Sequence, residues 1–277
     1  MTTDLYCVIG NPVEHSKSPW IHARFAELTG QALHYEKRLA ALDGFAADLH
    51  AFRAEGGRGC NVTLPFKFEA ARLATRKTPR ALLAQACNTL RFDDDGIYGD
   101  NTDGIGLVSD VTRNAGVELQ GHDILLVGAG GAAAGVLGPL IETGARRITV
   151  ANRTRSKAAD LIDRHAPLAA RHGVRLEAPE LGEVRESFDV VINATASSLG
   201  GAAIPVSPAV LKRGTLACDL MYGPAAQGFM DWAVHHGALA RDGLGMLVEQ
   251  AAEAFLLWRG VRPPSAQVLA ELRAILR

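Results

Sequence analysis

The sequence predicts an α/β chain of two domains, each a sheet covered by helices. Three observations point there. Short apolar runs alternate with amphipathic stretches of helical length almost from end to end, the pattern of βαβ units. The run Ile124 to Val127 is apolar throughout, as a strand buried on both faces must be. The regular unit that starts there is complete by about Gly243, yet two more helical stretches follow. Those final helices are expected to return to the first domain. The expected division is residues 1–103 with 244–277, and residues 104–243.

The elements follow in order. Leu5 to Ile9 reads as a buried strand. Ser18 is an N-cap candidate, and Pro19 suits the first turn of a helix running to about Leu28. His34 to Arg38 is a strand, Leu42 to Glu55 a helix and Gly59 to Val62 a strand. Pro65 is expected to open the next helix. Asn88 to Phe92 and Ile97 to Tyr98 form a hairpin around the turn Asp93 to Gly96. A helix is expected from Asp103 or Gly104 to about Ala115. After Ile124 to Val127 come a glycine turn, a helix to Thr143 and the strand Ile148 to Ala151. Ser156 to about Ala169 is helix, and Val190 to Asn193 and Leu216 to Leu220 are strands. Helices at about Leu244 to Trp258 and Ser265 to Leu276 close the chain.

Composition narrows the function. The 277 residues are 48% hydrophobic, enough for sizeable cores. With 29 basic and 30 acidic residues the formal net charge is -1, so no global field draws the chain to nucleic acid or anionic lipid. Cys7, Cys60, Cys87 and Cys218 include no C-x-x-C pair. Buried reduced thiols in the cytoplasm are expected, without disulfide or zinc. Neither a signal peptide nor a membrane span is expected. The uncharged stretches Ile124 to Ile141 and Val190 to Leu211 are rich in glycine, proline and polar residues, which suits strands and turns.

A cofactor motif follows Val127. Gly128-Ala129-Gly130-Gly131-Ala132-Ala133 is G-x-G-x-x-A between a strand and a helix. The first glycine permits the tight turn, the second admits a pyrophosphate close to the backbone, and the third small residue lets helix and strand pack. A bare glycine turn is the plainer reading, but the flanking strands stand at the spacing of a Rossmann unit. An NAD site would carry an acidic residue about 20 residues on. Here stand Asn152-Arg153-Thr154-Arg155, with Lys157 beyond. A guanidinium can clamp a 2′-phosphate, so NADP(H) is expected.

The first domain holds polar clusters where a core would be apolar. Ser16 and Ser18 lie in Gly10-Asn11-Pro12-Val13-Glu14-His15-Ser16-Lys17-Ser18-Pro19. Ser18 alone could be a helix cap. In Asn61-Val62-Thr63-Leu64-Pro65-Phe66-Lys67, Asn61 and Thr63 alternate and so share a face. Lys67 stands at a helix start, where the dipole disfavours a cation, so a purely structural role is less attractive. Asn88-Thr89 and Gly99-Asp100-Asn101-Thr102-Asp103-Gly104 complete the set. The nine histidines form no ligand-spaced pair, and no metal is expected.

Together these strings, with I-N-A-T and the late D-G-L-G-M-L-V-E-Q-A, resemble the shikimate dehydrogenase family almost end to end. The resemblance implies an NADP-dependent oxidoreductase that interconverts 3-dehydroshikimate and shikimate in aromatic amino acid biosynthesis. It implies Lys67 and Asp103 as the catalytic pair. Ser16 and Ser18 are similar to residues that hold the substrate carboxylate. Asn61, Thr63, Asn88, Thr102 and Gln250 are similar to residues around the ring hydroxyls. Gly128, Ala129, Gly130, Gly131, Ala132, Asn152, Arg153, Thr154, Lys157, Thr195 and Gly243 match cofactor positions. Met221 and Tyr222 match residues at the nicotinamide end, where Tyr222 also reaches substrate. Ala134, Ala196 and Gln227 depart from the family's commoner residues on the cofactor side. The implied enzyme is a cytoplasmic monomer or homodimer acting on a small molecule. An NAD-dependent quinate/shikimate dehydrogenase is the rival reading, disfavoured by Arg153 and Thr154. A silent NADP(H)-binding sensor would be expected to have lost Lys67 or Asp103.

Overall fold

The computed structural model describes residues 3–195 and 206–276. They divide into two compact units, Met1–Gly106 with Leu247–Arg277, and Leu107–Met246.

The first unit carries β1 (Asp4–Gly10), α1 (Ser18–Thr29), β2 (Leu33–Leu39), α2 (Phe45–Ala54), β3 (Gly57–Val62), α3 (Lys67–Leu73), β4 (Arg76–Lys77), α4 (Pro79–Ala84), β5 (Thr89–Asp93) and β6 (Gly96–Asp100). Its six strands lie in the order β2-β1-β3-β5-β6-β4. β1 pairs in parallel with both β2 and β3. β5 is antiparallel to β3 and β6, so this sheet is mixed. Side chains alternate across it. Cys7 and Ile9 join Phe45, Leu49, Phe52 and Phe66 on one face. Tyr6, Val8 and Tyr35 occupy the other, against Trp258.

α5 (Asp103–Ser109) leads out of this sheet and widens into a π turn at Asp110–Asn114. The second unit follows with β7 (Asp123–Val127), α6 (Gly131–Glu142), β8 (Arg147–Ala151), α7 (Arg155–His172), β9 (Arg175–Glu177), β10 (Val190–Asn193), β11 (Leu216–Asp219), α8 (Pro224–His235) and β12 (Leu239–Arg241). The order β12-β11-β10-β7-β8-β9 is parallel throughout. β7 is fully buried, as its unbroken apolar run requires. α9 (Leu244–Arg259) and α10 (Ser265–Ile275) end the chain. From Leu247 onward they belong to the first unit, where Glu271 of α10 forks onto Arg24 of α1 through bonds of 2.7 and 2.9 Å.

In each sheet the chain leaves the starting strand to one side and later returns to the other. The switch points lie between β1 and β3 and between β7 and β10. Ligands of open α/β sheets bind beyond the strand C-termini at such points. At the first, a Cβ on Gly10 would stand 2.2 Å from Thr63 Cγ2, so the two loops touch. At the second, a Cβ on Gly128 would lie 3.1 Å from the Ala194 carbonyl oxygen.

Several expected boundaries move. Ser18 is the first helical residue and not the cap; Lys17 holds the cap position without a side-chain bond. The Ser16 hydroxyl instead accepts from the Ser18 N–H at 3.3 Å. α2 begins at Phe45 because Gly44 closes a turn onto Ala41, leaving Leu42 70% exposed. Pro65 precedes α3 by two residues, since Phe66 N–H bonds back to Thr63. Thr63 lies one residue past β3, although its N–H still bonds Ile9. The π turn replaces the end of a helix expected to reach Ala115 as α-helix. Short β4, α4, β9 and β12 carry too little periodic signal to stand out, and α8 was missed as well. No helix among the described residues is long and apolar enough to cross a membrane.

Candidate active site and cofactor cradle

The first switch point gathers polar side chains from five segments. Lys67, at the start of α3, places Nζ 2.5 Å from Asp103 Oδ2. The pair is 14% and 6% exposed, so each charge depends on the other for its stability. Asn88 orients the remaining carboxylate oxygen: its Nδ2 donates to Asp103 Oδ1 at 2.8 Å. The same amide nitrogen meets Thr102 Oγ1 at 3.0 Å and Gln250 Oε1 at 3.1 Å. Asn88 Oδ1 accepts from Thr102 N–H at 2.8 Å and Thr89 Oγ1 at 3.0 Å. Asn61 Nδ2 donates to Thr89 Oγ1 at 3.0 Å and to the Asn88 carbonyl at 3.2 Å. Gln250 comes from α9 and is anchored by Nε2 on the Leu247 carbonyl.

Thus Lys67, Asp103, Asn88, Thr102, Asn61 and Gln250 form one continuous network. Ser18 adjoins it through Tyr35, whose hydroxyl donates to Asn61 Oδ1 at 2.7 Å. Burial pushes that phenol far above its ordinary range, so it remains a donor. Ser16 stands beside Ser18. Thr63 turns its methyl onto Gly10. A network of neutral hydrogen-bonding groups around one ion pair suits a small, hydroxyl-rich ligand.

The second switch point is a cradle of a different kind. Gly128 has φ +116°, which a side chain rarely tolerates, and it packs on Ala194. Gly130 caps α6, yet a Cβ there would meet nothing within 4 Å. The protein's own packing does not require that glycine, and the backbone at the helix N-terminus is open on the side where a ligand would approach. Ala129 lies in the turn, and Gly131 and Ala132 open α6. Beyond β8, Asn152 Nδ2 holds the Thr154 carbonyl at 2.9 Å. Arg153, Thr154 and Lys157 are exposed there. Asn152, Arg153 and Arg155 line a cleft of about 380 Å³ with Glu180, Leu181 and Gly182. This cleft and the open Gly130 fit a dinucleotide carrying an extra phosphate.

A buried pair organises the rest. Asn193 Nδ2 donates to Asp219 Oδ2 at 3.0 Å. Asn193 Oδ1 accepts from Thr195 Oγ1 at 2.7 Å, and Asp219 Oδ1 from Met221 N–H at 2.8 Å. Gly243 N–H bonds the Met221 carbonyl at 2.8 Å. Thr195, Met221 and Gly243 are therefore joined through the ends of β10 and β11. Tyr222 follows Met221 in this unit.

The family model described as Shikimate dehydrogenase substrate binding domain matches residues 8–90. Models described as Shikimate / quinate 5-dehydrogenase and Shikimate 5'-dehydrogenase C-terminal domain match 110–200 and 243–273. A relative from Acidovorax sp. (strain JS42), named Shikimate dehydrogenase (NADP(+)), is 66% identical over 273 residues, covering 99% of this chain and 97% of its own. The chain belongs to the shikimate dehydrogenase family. Among solved structures, the Thermus thermophilus shikimate 5-dehydrogenase in complex with NADP(H) and shikimate superposes with a TM-score of 0.84. It is 31% identical, with 99% of this chain and 100% of that one covered. An Ael1 enzyme from Pseudomonas putida gives a TM-score of 0.86 at 43% identity, with 98% of each chain covered.

Sequence reasoning overlooked several residues at these two switch points of the shikimate dehydrogenase fold. Tyr35 had one signal, a lone aromatic in the charged strand Leu33–Leu39. Thr89 and Asn193 stood inside quoted motifs without a role. Asp219 and Glu180 had no signal, because only folding brings them to the cradle. Of the departures, Ala134 is buried in α6 and Gln227 bonds Asp231 along α8 at 2.7 Å. Ala196 lies outside the described residues.

Proposed function

We propose that the chain catalyses the reversible reduction of 3-dehydroshikimate to shikimate with NADPH, in the biosynthesis of aromatic amino acids through chorismate. One observation carries the residue roles: a sheltered Lys67–Asp103 pair 2.5 Å apart inside a shell of uncharged amides and hydroxyls.

Reduction of a ketone builds negative charge on its oxygen. The Lys67 ammonium stabilises that charge and delivers the proton that makes the hydroxyl. Asp103 holds Nζ in place, and Asn88 holds Asp103. Ser16 and Ser18 take the substrate carboxylate. Asn61, Thr63, Asn88, Thr102 and Gln250 take the ring hydroxyls, and Tyr222 is the remaining substrate-binding residue of this reading. Amides already held by one another lose little reorganisation energy when substrate enters.

NADP(H) is held by Gly128, Ala129, Gly130, Gly131 and Ala132 at its pyrophosphate, and by Asn152, Arg153, Thr154 and Lys157 at its 2′-phosphate. Thr195, Met221 and Gly243 serve the nicotinamide end. The nicotinamide, when bound, supplies or accepts the hydride, so the protein's groups handle only the oxygen and its proton. Residues 1–103 with 244–277 form the substrate domain in this reading, and 104–243 the cofactor domain. The enzyme is taken to be cytoplasmic, a monomer or homodimer, with no nucleic-acid partner.

The test follows nicotinamide absorbance with shikimate and NADP⁺, with NAD⁺ and quinate in parallel. Rapid turnover with the first pair, reduced about a thousandfold or more in Lys67→Ala, is expected. Tight NADPH binding without turnover on any pair would replace the enzyme with a silent sensor.

A further inference from the structure

We infer that Arg80, which no motif marks, is a positioning residue for the reaction. It acts through Asp100 and Asn101 to set the Asp103 carboxylate against Lys67. The inference rests on the reading of Lys67 and Asp103 as the catalytic pair.

The observations form an unbroken chain. Arg80 stands in the first turn of α4, just after Pro79. Its guanidinium grips Asp100 in a fork, Nε to Oδ1 at 2.8 Å and Nη2 to Oδ2 at 2.5 Å. Asp100 is 2% exposed. A buried carboxylate of this kind is tolerated only with a cation and full hydrogen bonding, and it has both. Thr78 Oγ1 donates to Oδ1 at 2.6 Å, and Asn101 N–H donates to the same oxygen at 2.7 Å. Asn101 in turn ties Nδ2 to the Ala86 carbonyl at 2.9 Å, and its Oδ1 accepts the Asp103 N–H at 3.2 Å. The carboxylate that meets Lys67 is therefore hung from a turn whose first residue Arg80 holds.

A second connection closes the loop. The Asp100 carbonyl accepts Asn88 N–H at 3.1 Å, and Asn88 Nδ2 holds Asp103 Oδ1. The Lys67 carbonyl accepts Cys87 N–H at 2.9 Å. Arg80 thus stabilises the one residue, Asp100, from which both supports of Asp103 originate. The Arg80 side chain is itself 30% exposed, so it sits at the outer end of this chain and does not line the network around Lys67.

Displacing a reacting group by about an ångström can cost on the order of a hundredfold in rate. Loss of the guanidinium leaves a buried charge that must move toward water, taking the turn with it. A lysine keeps the charge but loses the fork.

The experiment uses the whole chain with Arg80→Ala, Arg80→Lys and, as control, Lys67→Ala. It measures kcat, KM for shikimate and for NADP⁺, the number of NADPH sites per chain, and the isotope effect with shikimate deuterated at the reacting carbinol carbon. Arg80→Ala is expected to lower kcat about ten- to a hundredfold with KM for NADP⁺ within about twofold. Its isotope effect should rise, because the chemical step has slowed. Methylguanidinium added to the medium should restore part of kcat, and Arg80→Lys should fall between the two. A protein merely less well folded would lose NADPH sites in proportion to kcat with an unchanged isotope effect, and that result overturns the inference. So does a kcat within about twofold of the parent. Should Arg80→Ala fail to fold, Arg80→Lys carries the same readouts. An active Lys67→Ala would remove the catalytic pair itself, whereas an inactive Lys67→Ala beside a fully active Arg80→Ala would remove only the role of Arg80.

Discussion

His22 lies face to face with Tyr35, ring centroids 4.2 Å apart and planes 5° from parallel. Both rings are buried, His22 completely, with Phe25, Phe255 and Trp258 around the imidazole. Among the described residues, neither imidazole nitrogen has a hydrogen-bond partner. Burial holds the group at a pKa of about 3, and the nearby Asn61 amide offsets only a part of this. The stack fixes the ring whose hydroxyl orients Asn61.

This gives a pH dependence of stability. Between pH 6.5 and about 3 the unfolded imidazole binds a proton and the folded one does not. Acid therefore favours the unfolded chain. The stabilisation is complete above pH 6.5 and falls by up to about 1.4 kcal/mol per pH unit below it. His165, lowered by burial to about 4, acts in the same direction in the second unit. Urea midpoints measured from pH 7 to 4.5 should fall with acid, and His22→Phe should flatten the slope. An unchanged slope would show that His22 is not the proton-binding group.

The two glycines of the cradle should separate stability from binding. Gly128→Ala forces a side chain into φ +116° and onto Ala194, costing about 1–3 kcal/mol in a thermal or denaturant melt. Gly130→Ala adds a methyl in open space, so the melt should move by less than about 1 kcal/mol. Its KM for NADP⁺ should nevertheless rise at least about tenfold, because the methyl stands where the pyrophosphate approaches the backbone. Equal effects on both quantities in both variants would contradict this division.

Arg153→Ala should raise KM for NADPH by roughly ten- to a hundredfold, the worth of a charge-assisted bond to phosphate. NADH, without that phosphate, should be used almost as before. Steady-state kinetics with both cofactors decides it, and equal losses would mean that Arg153 does not read the 2′-phosphate.

Glu180 puts a carboxylate in the same cleft as Arg153 and Arg155. Chain order hides this, because an isolated parallel bridge brings Glu180 beside Asn152, just past the end of β8. Glu180→Gln removes a charge that repels phosphate. KM for NADP⁺ is expected to fall about two- to fivefold, and less at high salt. A rise in KM would mean that the carboxylate serves the cofactor in another way.

The sequence by itself determined whatever depends on near neighbours. The continuous apolar run of β7, the glycine turn after it and the cations after β8 are local signals, and each lies where the pattern put it. The polar strings around Ser16, Asn61, Asn88 and Asp103 could be read for the same reason, since residue types that a core would reject stand out in any window. Partnership was not legible. Lys67 and Asp103 are 36 residues apart, and Asn88 and Gln250 are 162 apart. No periodicity links such positions. Strand order decided them, by setting β3 beside β1 and β5 beside β3 and so bringing the ends of distant segments to one edge. The same holds for Tyr35 behind Asn61, Arg80 behind Asp100 and Asp219 behind Met221. Each is an ordinary residue in its own segment, and only the packing of one segment on another gives its polar group a task.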